Sequence, residues 1–525
     1  LGSVNELDVK VNNPYFGGMT EHEAPPHPAG PHGELLRRLE AADPAPKAPR
    51  ELSARGRAEL LCDPGTFTPT GALRRSHSRQ EGPRFDGDGV VTGWGTIQGR
   101  PVAVVSHEFA RGGGSIGTGF AAKVARLQDL AVQRRMPVVY LNDSGGARIH
   151  EGIESLDGCG AIFRRNVLAR EVVPQLSVVM GPCAGAAAYS PALTDWTVMV
   201  RGSGHMFLTG PDVVRAATGE EVTPDEIGGA ALHTQLSGVA HLAADTDAEA
   251  LAAVRRILGY LPSWRGGALP TTAPRRPDPA AAGRLAGLVP RRSSSPFDMR
   301  DLLRGVVDGS EFFELMPGYA PSVITAFARL GGVPVGVVAS QPMRRGGILD
   351  IASSRKTARF VRFCGRFGLP VLTFVDVPGF MPGTRQESGG IITEGAEVLA
   401  AYVETRTPRL TVVVRKAFGG AFIALGSKSL GADFAWAYPD SELAVMGPAG
   451  AVNILHRRRL AQAEDPEALR RELADDYRER VTRPFAAAET GIVDDIILPE
   501  QTRATLLAAL ALYHPGAAEE TAPPS

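Results

Sequence analysis

Two short runs of very small residues are the part of this sequence best suited to chemistry. The first is CAGAAAYS, residues 183–190, and the second is AFGGAFIAL, residues 417–425. Each follows an apolar run and is predicted to be an elbow at which a strand ends and a helix begins. The first amides of a helix have no partner within it and lie at the positive end of its dipole. Two such amides can hold an oxyanion.

We predict two donor pairs for this chemistry, Gly185 with Ala186 and Gly420 with Ala421. Their small side chains leave the backbone N–H groups uncovered, and glycine accepts backbone angles that other residues resist. The alternative is that small residues only allow a helix to pack closely on a strand, and for a single elbow this alternative is the better one. Two elbows at matching places in the chain favour the oxyanion function.

The second half of the chain repeats the first half at fixed spacing. FAAKVARLQDLAVQRRMPVVYLNDSGGAR in the first half corresponds to SSRKTARFVRFCGRFGLPVLTFVDVPGF in the second. Ungapped pairing matches Lys123 with Lys356, Arg126 with Arg359, Pro137 with Pro370 and Asp143 with Asp376. A chain that builds one αβ unit twice most simply forms two like domains that face each other. A site between them would have matching backbone groups on its two sides.

The elements around the elbows are predicted to be strands alternating with helices, which indicates an α/β fold. The first unit is predicted to contain a β-hairpin at 90–108, a helix at about 119–135, the strand MPVVYLND, a helix at about 158–172 and the strand LSVVMG. The second is predicted to contain a helix at 298–308, the hairpin VITAFARLGGVPVGVVAS, a helix at 353–367, the strand LPVLTFVD, a helix at 390–405 and the strand RLTVVVR. A charged helical hairpin at about 452–480 is predicted as an insertion that the first unit lacks.

Breaks in periodicity set the domain bounds. Residues 1–50 are predicted to be a flexible N-terminal extension, mostly unfolded apart from a short helical turn at Leu35–Leu39. Residues 262–296 break every periodicity and are predicted to be the crossing between domains. We place the N-terminal domain at 51–280 and the C-terminal domain at 281–525.

Composition narrows the classes of partner and compartment. A net charge of −1 over 525 residues gives no reason to expect nucleic acid or a membrane surface as a partner. The four cysteines form no C-x-x-C pair, which argues against a zinc ribbon and a disulfide framework. No apolar run approaches 18 residues and no leader pattern is present, so we expect a soluble, cytoplasmic protein.

Other chemically interesting residues have simpler interpretations. Cys183 is predicted to be a small packed residue rather than a nucleophile. His150, Glu151 and Glu154 are predicted to form a solvated helix end rather than to bind a metal, and no metal site is expected. The two matching aspartates of the repeat are predicted to cap backbone amides. Gly112–Gly114 resembles a phosphate loop but lacks the lysine and Ser/Thr of that motif.

Several longer blocks carry a resemblance that covers about residues 51 to 515. They are NDSGGARIHEG (142–152), MGPCAGAAAYSPALTD (180–195), TGPDVV (209–214), TGEEVT (218–223), SSRKTARFVRFC (353–364), FVDVPGFMPGTRQESGGII (374–392) and RKAFGGAF (415–422). In this order they resemble the carboxyltransferase (beta) subunit of biotin-dependent acyl-CoA carboxylases, and propionyl-CoA carboxylase in particular.

The resemblance implies two tandem crotonase-like (ββα-superhelix) domains related by internal duplication. It implies homo-hexamers that are trimers of dimers, with each active site between the N-domain of one subunit and the C-domain of its partner. It also implies that CO2 moves from carboxybiotin, on a separate carrier protein, to the α-carbon of a short or medium acyl-CoA, giving a malonyl-CoA-type product. One oxyanion forms on the thioester and one on biotin, and which amide pair serves which is left open.

The resemblance also assigns residues and partners. It gives substrate binding to Gly145, Gly146, Ala147, Gly419, Phe422 and Ile423. It makes Lys123, Arg126, Arg164 and Arg165 candidates for the CoA phosphates, against the alternative that exposed helix faces carry such charges routinely. Neither an Ala-Met-Lys-Met-like biotinylation site nor an ATP-grasp sequence is found. We therefore expect a biotin carboxylase and a biotin carrier protein as partners.

The sequence departs from the family pattern at several positions. Ala186 stands where relatives usually have Gly, and Phe418 and Phe422 stand where they have Tyr. The segment GTGFAAK (117–123) also differs from the usual text. Ile423 occupies a position that influences acyl-chain choice in the family, where propionyl-preferring relatives often have Asp. An apolar residue there predicts a pocket that tolerates longer or branched acyl groups.

Two further functions stay open at this point. A biotin-dependent acyl-CoA decarboxylase or transcarboxylase subunit would use the same fold and the same donors in reverse. A non-catalytic scaffold subunit would explain Ala186 and the altered segment at 117–123.

Overall fold

The computed structural model describes residues 30–46, 52–76, 84–292 and 295–515. Each half of the chain contains one eight-stranded sheet. The first sheet contains β1 (Thr68–Thr70), β2 (Val90–Ile97), β3 (Arg100–His107), β4 (Val138–Ser144), β5 (Gln175–Ala184), β6 (Trp196–Val200), β7 (His205–Phe207) and β8 (Leu242–Ala244). The second contains β9 (Phe312–Leu315), β10 (Val323–Leu330), β11 (Val333–Ser340), β12 (Val371–Val377), β13 (Arg409–Phe418), β14 (Phe434–Ala437), β15 (Glu442–Ala444) and β16 (Asp495–Ile496).

The two sheets have the same strand connections. Their orders are β1-β2-β3-β4-β5-β6-β8 and, in the same sense, β9-β10-β11-β12-β13-β14-β16. In each sheet the first three strands pair antiparallel and the following ones pair in parallel. One further short strand, β7 or β15, pairs with the end of β5 or β13. The predicted α/β class and the internal duplication are therefore confirmed.

The helices follow the same repeat. The first half contains α1 (Pro31–Ala42), α2 (Ala54–Leu61), α3 (Thr118–Arg134), α4 (Ile153–Ala169), α5 (Tyr189–Leu193), α6 (Pro211–Thr218), α7 (Pro224–Gly228), α8 (Ala230–Leu232) and α9 (Asp247–Leu258). The second contains α10 (Pro279–Gly283), α11 (Leu285–Leu288), α12 (Met299–Val306), α13 (Ile351–Phe367), α14 (Thr384–Gly389), α15 (Ile391–Glu404), α16 (Gly419–Ala424), α17 (Pro448–Leu455), α18 (Arg457–Gln462), α19 (Pro466–Tyr477), α20 (Pro484–Glu489) and α21 (Thr502–Ala511).

Burial and capping explain the elements that lead to the elbows. The strands β4 and β12 are buried at every residue, as parallel strands covered on both faces should be. Helix α13 begins at a capping box, in which Ser353 N donates to Asp350 Oδ1 and Asp350 N donates to Ser353 Oγ. These reciprocal bonds fix the start of α13, the helix that leads into β12.

Part of the predicted extension is folded. Helix α1 forms within the range that was expected to be mostly unfolded, and it is much longer than the predicted turn. Arg38 Nη2 lies 2.7 Å from Asp86 Oδ1, and Arg111 Nη2 donates to the carbonyl of Ala41 at 2.7 Å. These contacts attach α1 to the first domain. Residues 1–29 and 47–51 lie outside the described part of the chain.

The charged insertion at about 452–480 consists of helices α17 to α19 and a π-helical turn, Arg478–Thr482. The sequence predicted that the first half lacks this segment, and that prediction is wrong. The first half has a shorter counterpart, which runs from α6 to α8 and ends in another π-helical turn, His233–Ser237. The expected hairpin is thus an enlarged version of a repeated segment.

The two halves share one apolar core. The ring of Trp196 lies between aromatic rings of the second half, with centroid distances of 6.0 Å to Phe327 and 4.9 Å to Phe363. The predicted crossing also packs on the second half, since Arg329 Nη1 donates to the carbonyl of Pro270 at 2.6 Å. Across the described ranges, no helix is long and apolar enough to cross a membrane.

Candidate active site

The first elbow begins where β5 ends against β7. Cys183 and Ala184 pair with Met206 and Phe207, and Gly185 follows with a φ of +55°. A 3-10 helix, Gly185–Ala188, then runs directly into α5. Among the described residues no side chain caps this helix, and Gly185 and Ala186 are only half-buried. Its first amides are therefore not occupied by a side-chain acceptor.

The second elbow has the same construction. β13 ends at Phe418, which pairs with Ala444 of β15, and Gly419 follows with a φ of +62°. Helix α16 starts at once, and in the described part of the chain no side chain caps it. Gly420 is exposed, whereas Ala421 is buried. The strand-to-helix turn predicted from the sequence is thus present at both places.

The strand ends also fix the register between the elbows. Ala184 and Phe418 are equivalent, since each is the last residue of its strand and pairs with the last residue of the neighbouring short strand. Gly185 therefore corresponds to Gly419, and Ala186 corresponds to Gly420. The two predicted donor pairs are therefore offset by one residue relative to each other. Ala186 and Gly420 are the positions that both pairs share.

The predicted substrate loop, Gly145 to Ala147, lies directly against the first elbow. Gly146 has a φ of +100°, and a Cβ atom there would lie 2.7 Å from the carbonyl oxygen of Ala184. Gly145 N donates to the carbonyl of Gly113 at 2.9 Å, and Gly146 N donates to Ser144 Oγ at 3.2 Å. Since both amides are occupied, Gly145 and Gly146 shape the elbow by close approach and do not add free N–H donors.

A large cavity of about 920 Å³ opens beside the second elbow. Of the predicted residues, Gly419, Gly420, Phe422 and Ile423 line it. Other parts of the second half complete its wall with Leu443, Ala444, Val445, Tyr477, Val481, Ala486, Ala487 and Ile492. Sequence reasoning missed these residues, because they are far along the chain and have no distinctive local pattern.

A smaller cavity of about 410 Å³ lies beside the first elbow. Tyr189, Phe207 and Leu208 line it, together with Ile227 and His233 from the following helical segment. Tyr189 occupies the position of Ile423, and Leu208 occupies that of Val445. The duplication therefore repeats the pocket as well as the elbow, although the second cavity is larger.

Buried carboxylates support the strand ends next to both elbows. Asp376 Oδ1 accepts from the backbone N of Lys416 at 3.1 Å, which is the predicted capping role, and its Oδ2 lies 2.8 Å from Arg415 Nη2. In the first half, Asp143 Oδ2 lies 3.1 Å from Arg57 Nη1. Burial lowers the pKa of the neighbouring His107 to about 4, although the Asp143 charge opposes this shift.

Three other residues have clear structural roles. The Cys183 thiol is fully buried and donates to the carbonyl of Ala187, and burial raises its pKa, so it is packed as predicted. Lys123 is unsuited to CoA phosphates, because it is buried and its Nζ donates to the carbonyl of Gly87 at 2.8 Å. Glu151 does not form a solvated helix end: it is buried and accepts from Thr118 N at 2.6 Å.

Of the remaining phosphate candidates, Arg126 and Arg164 are exposed, and Arg165 Nε lies 2.8 Å from Asp129 Oδ1. Among the described residues, no group of three or more His, Cys, Asp or Glu side chains is arranged to hold a metal ion. The described residues at the elbows offer backbone amides and the apolar cavities beside them.

Comparisons with known proteins agree with this construction. The carboxyl transferase domain model matches residues 48–524. The carboxyltransferase subunit of propionyl-CoA carboxylase from Haloferax mediterranei is 50% identical over 463 residues, which are 88% of this chain and 90% of that protein. The methylmalonyl-CoA decarboxylase subunit alpha of Veillonella parvula is 46% identical over 469 residues, which are 88% of this chain and 90% of that protein.

Among solved structures, the transcarboxylase 12S hexamer with bound methylmalonyl-CoA superposes with a TM-score of 0.84 at 42% identity. The match covers 90% of this chain and 91% of that chain. Together with the duplicated topology, these similarities bear out the two crotonase-like domains. The chain therefore belongs to the carboxyl transferase family and is a carboxyltransferase of the kind represented by the beta chains of propionyl-CoA carboxylases.

Proposed function

We propose that this chain moves CO2 from carboxybiotin, held on a separate carrier protein, to the α-carbon of a short or medium acyl-CoA, giving a malonyl-CoA-type product. The observation that carries the proposal is the pair of uncapped elbows at equivalent strand ends of two like domains. A reaction that creates two oxyanions needs two such donor sets. A single elbow would serve only one of them.

The amides of Gly185 and Ala186 form one proposed oxyanion hole, and those of Gly420 and Ala421 form the other. One hole holds the thioester oxygen while the α-carbon is deprotonated, and the other holds the carbonyl oxygen of biotin. Backbone donors that are fixed in place before the reaction stabilise charge without reorganisation. When bound, carboxybiotin supplies both the CO2 and the base for the α-proton.

The residues beside the second elbow fit a bulky organic group. The cavity there is mainly apolar but also includes Ser427, Lys428 and Ser429 near exposed Gly420. Ile423, 42% exposed, places an aliphatic side chain on its wall. We propose that this wall accepts acyl groups longer than propionyl or branched ones, because apolar contacts with each added CH2 contribute about 0.8 kcal/mol.

We further propose that the working form is a homo-hexamer, a trimer of dimers, in which the N-domain of one subunit faces the C-domain of its partner. Leu208 and Val445, equivalent residues beside the two elbows, are 56% and 87% exposed. Large apolar side chains so exposed beside a cavity indicate a surface that another subunit or a ligand covers. The similarity to the hexameric transcarboxylase 12S supports this assembly.

Replacing Gly420 tests the mechanism. Gly420→Pro removes one proposed N–H donor, whereas Gly420→Ala keeps it and brings its Cβ no closer than 3.8 Å to Phe380. We expect Gly420→Pro to lower kcat by about 10²–10³-fold, as in other oxyanion holes, and Gly420→Ala to retain most activity. Equal carboxylation by wild type and by a folded, hexameric Gly420→Pro variant would contradict the proposed hole.

The similarity to a decarboxylase subunit makes the reaction direction a second point to test. The chain is combined with a biotin carboxylase, a biotin carrier, ATP, bicarbonate and an acyl-CoA. ATP-dependent formation of the carboxylated acyl-CoA supports the forward reaction. Decarboxylation of the product without any ATP-dependent synthesis would assign the chain to the decarboxylase type.

A further inference from the structure

An unpaired basic surface lies on the enlarged helical segment of the second half. Helix α18 begins with Arg457, Arg458 and Arg459, which are all exposed. Within the described ranges, no Asp or Glu oxygen lies within 4 Å of these three guanidinium groups. Three adjacent positive charges without internal partners attract an external anionic group.

Four other arginines nearby form ion pairs within the segment. Arg470 pairs with Glu467, Arg478 Nη1 lies 2.6 Å from Asp475 Oδ1, and Arg480 Nε lies 2.6 Å from Asp476 Oδ1. Arg483 likewise pairs with Glu479. Among the described residues, Arg471 Nε donates only to the backbone carbonyl of Glu467. The arginines at the start of α18 therefore differ from these four paired arginines in forming a run of three adjacent unpaired charges. We call Ile454, Leu455 and Arg457 to Arg459 the α18 surface.

The α18 surface also contains apolar groups. Ile454 and Leu455, at the end of α17, are 66% and 64% exposed. They immediately precede the arginines in the chain, separated from them by His456 alone. Exposed aliphatic side chains next to unpaired charges are typical of a protein-binding surface, because they add buried area to electrostatic attraction.

This surface is mechanically connected to the cavity beside the second elbow. Leu460, on the same helix as the arginines, packs with Val452 and Leu473 in a small separate core. Tyr477 packs against that core and also lines the cavity. The small core and Tyr477 thus connect α18 to the wall of the cavity beside the second elbow.

The geometry favours a protein over the phosphates of CoA. Successive residues of a helix point about 100° apart, so the three guanidinium groups diverge and do not converge on one phosphate. None of them lines either of the two elbow cavities. Diverging charges instead match several carboxylates spread over the face of a folded domain.

We infer that the α18 surface docks an acidic face of the biotin carrier protein while its biotin reaches the proposed reaction site. This inference rests on the proposed function, since only that reaction requires a carrier. Charges at the edge of an interface act mainly on the association rate and on its salt dependence. The α18 arginines therefore serve carrier capture, and the elbow amides serve the chemistry.

The test compares two triple variants with the same loss of charge. One is Arg457→Gln/Arg458→Gln/Arg459→Gln. The control is Arg201→Gln/Arg265→Gln/Arg275→Gln, at arginines that are 56%, 57% and 61% exposed and pair with carboxylates elsewhere on the surface. Binding to a biotinylated carrier domain of a propionyl-CoA carboxylase is measured by biolayer interferometry. Transfer from methylmalonyl-CoA to free biocytin is measured separately.

We expect the α18 variant to bind the carrier about ten-fold more weakly, and the control to bind like wild type. Raising NaCl from about 50 to about 300 mM should weaken carrier binding by wild type much more than by the α18 variant. Salt screens the charges of the three arginines, and the variant lacks them. Transfer to biocytin should be unchanged in both variants, since it needs no carrier.

Unchanged carrier binding by the α18 variant would overturn the inference while leaving the proposed function intact. A higher KM for methylmalonyl-CoA in the biocytin assay would also overturn it, since the arginines would then bind CoA phosphates. Failure of the wild-type chain to carboxylate biocytin, despite tight carrier binding, would instead contradict the proposed function.

Discussion

Arg366 of the second half forms an ion pair with Asp195 of the first, with 2.9 Å between Nη1 and Oδ1. The Asp195 side chain is only 2% exposed, and its Oδ2 accepts from Gln175 N at 2.8 Å. Arg359, also on α13, donates through Nη2 to the carbonyl of Asp195 at 2.7 Å. Two arginines of one domain thus hold the segment that follows α5, and through it the first elbow.

Removing Arg366 should therefore weaken the joint between the domains. Arg366→Met leaves the Asp195 carboxylate buried without that cation, and breaking such a pair from one side costs about 3–5 kcal/mol. Arg362→Met is the matched control on the same helix, since Arg362 pairs with the surface residues Glu397 and Glu404. We expect the urea midpoint to fall clearly for Arg366→Met and to change little for the control. Similar midpoints for the two variants would contradict this role.

Asp195 should also make stability depend on pH. Burial, its largest influence, raises its pKa from 3.8 to about 6, although the Arg366 charge opposes the shift. Between these two pH values the folded state binds more protons than the unfolded state, so the contribution of Asp195 to stability increases as pH falls from 6 towards 4. The slope is at most about 1.4 kcal/mol per pH unit. The free energy of unfolding in urea, plotted against pH over this range, should have different slopes for wild type and Asp195→Asn. Parallel plots would argue against a titrating role for Asp195.

The repeated lysines are predicted to be structural. Lys356 Nζ donates to the carbonyls of Met316, Tyr319 and Val323 at 2.8, 3.0 and 2.7 Å, whereas Lys123 Nζ has two such acceptors, Gly87 and Val90. A buried carbonyl left without its donor costs about 1–3 kcal/mol.

Lys356→Met should therefore lower the thermal midpoint more than Lys123→Met does. Lys428→Met serves as the control and should have less effect, because the half-buried Lys428 pairs with a partly exposed carboxylate, Asp494, and not with buried carbonyls. A larger fall in the thermal midpoint for Lys123→Met than for Lys356→Met would show that the number of carbonyl acceptors does not determine how much each lysine stabilises the fold.

The sequence predicted the repeat, the main helices and the two elbows because these depend on local spacing. The Lys123–Lys356 pairing reflects a shared position in a duplicated unit, and that position is buried in both halves. The interdomain arginines were not predicted. Arg359 is equivalent to Arg126, which is exposed, so the same position in the repeat has a different environment that only the packing of the two halves creates.

The cavity wall was beyond sequence reasoning for a related reason. Ile423 was a candidate because it follows the elbow, but Val481 and Ile492 reach the same cavity from a later helical segment and loop. Their apolar types fit an ordinary core as well as a pocket. Likewise, Glu151 was predicted to be solvated, since nothing local shows that it would bind the start of α3.

Gly146 provides a test of the close approach at the first elbow. Gly146→Ala would place a Cβ atom 2.7 Å from the Ala184 carbonyl oxygen, next to the proposed donor Gly185. Gly113→Ala is a control, because Gly113 also has a positive φ, +63°, but its Cβ would meet no atom within 4 Å. Both variants carry the strain of a left-handed residue, about 1–2 kcal/mol. Only Gly146→Ala also brings a Cβ atom against the Ala184 carbonyl, so only that variant should displace the elbow. We expect kcat to fall for Gly146→Ala and not for Gly113→Ala, and equal kcat values would separate this loop from catalysis.

The apolar wall at Ile423 should determine how acyl chain length affects the rate. If acyl groups bind in the 920 Å³ cavity, each buried CH2 contributes about 0.8 kcal/mol, or about four-fold in kcat/KM. Ile423→Asp should remove much of this gain, because a carboxylate on the wall retains water that a longer chain must displace. The measurement is kcat/KM for acetyl-, propionyl-, butyryl- and hexanoyl-CoA, with Leu512→Asp, at a 69% exposed position outside the cavity, as the charge control. A uniform decrease for all four substrates would place the acyl chain elsewhere, whereas a decrease that grows with chain length would identify Ile423 as a determinant of substrate choice.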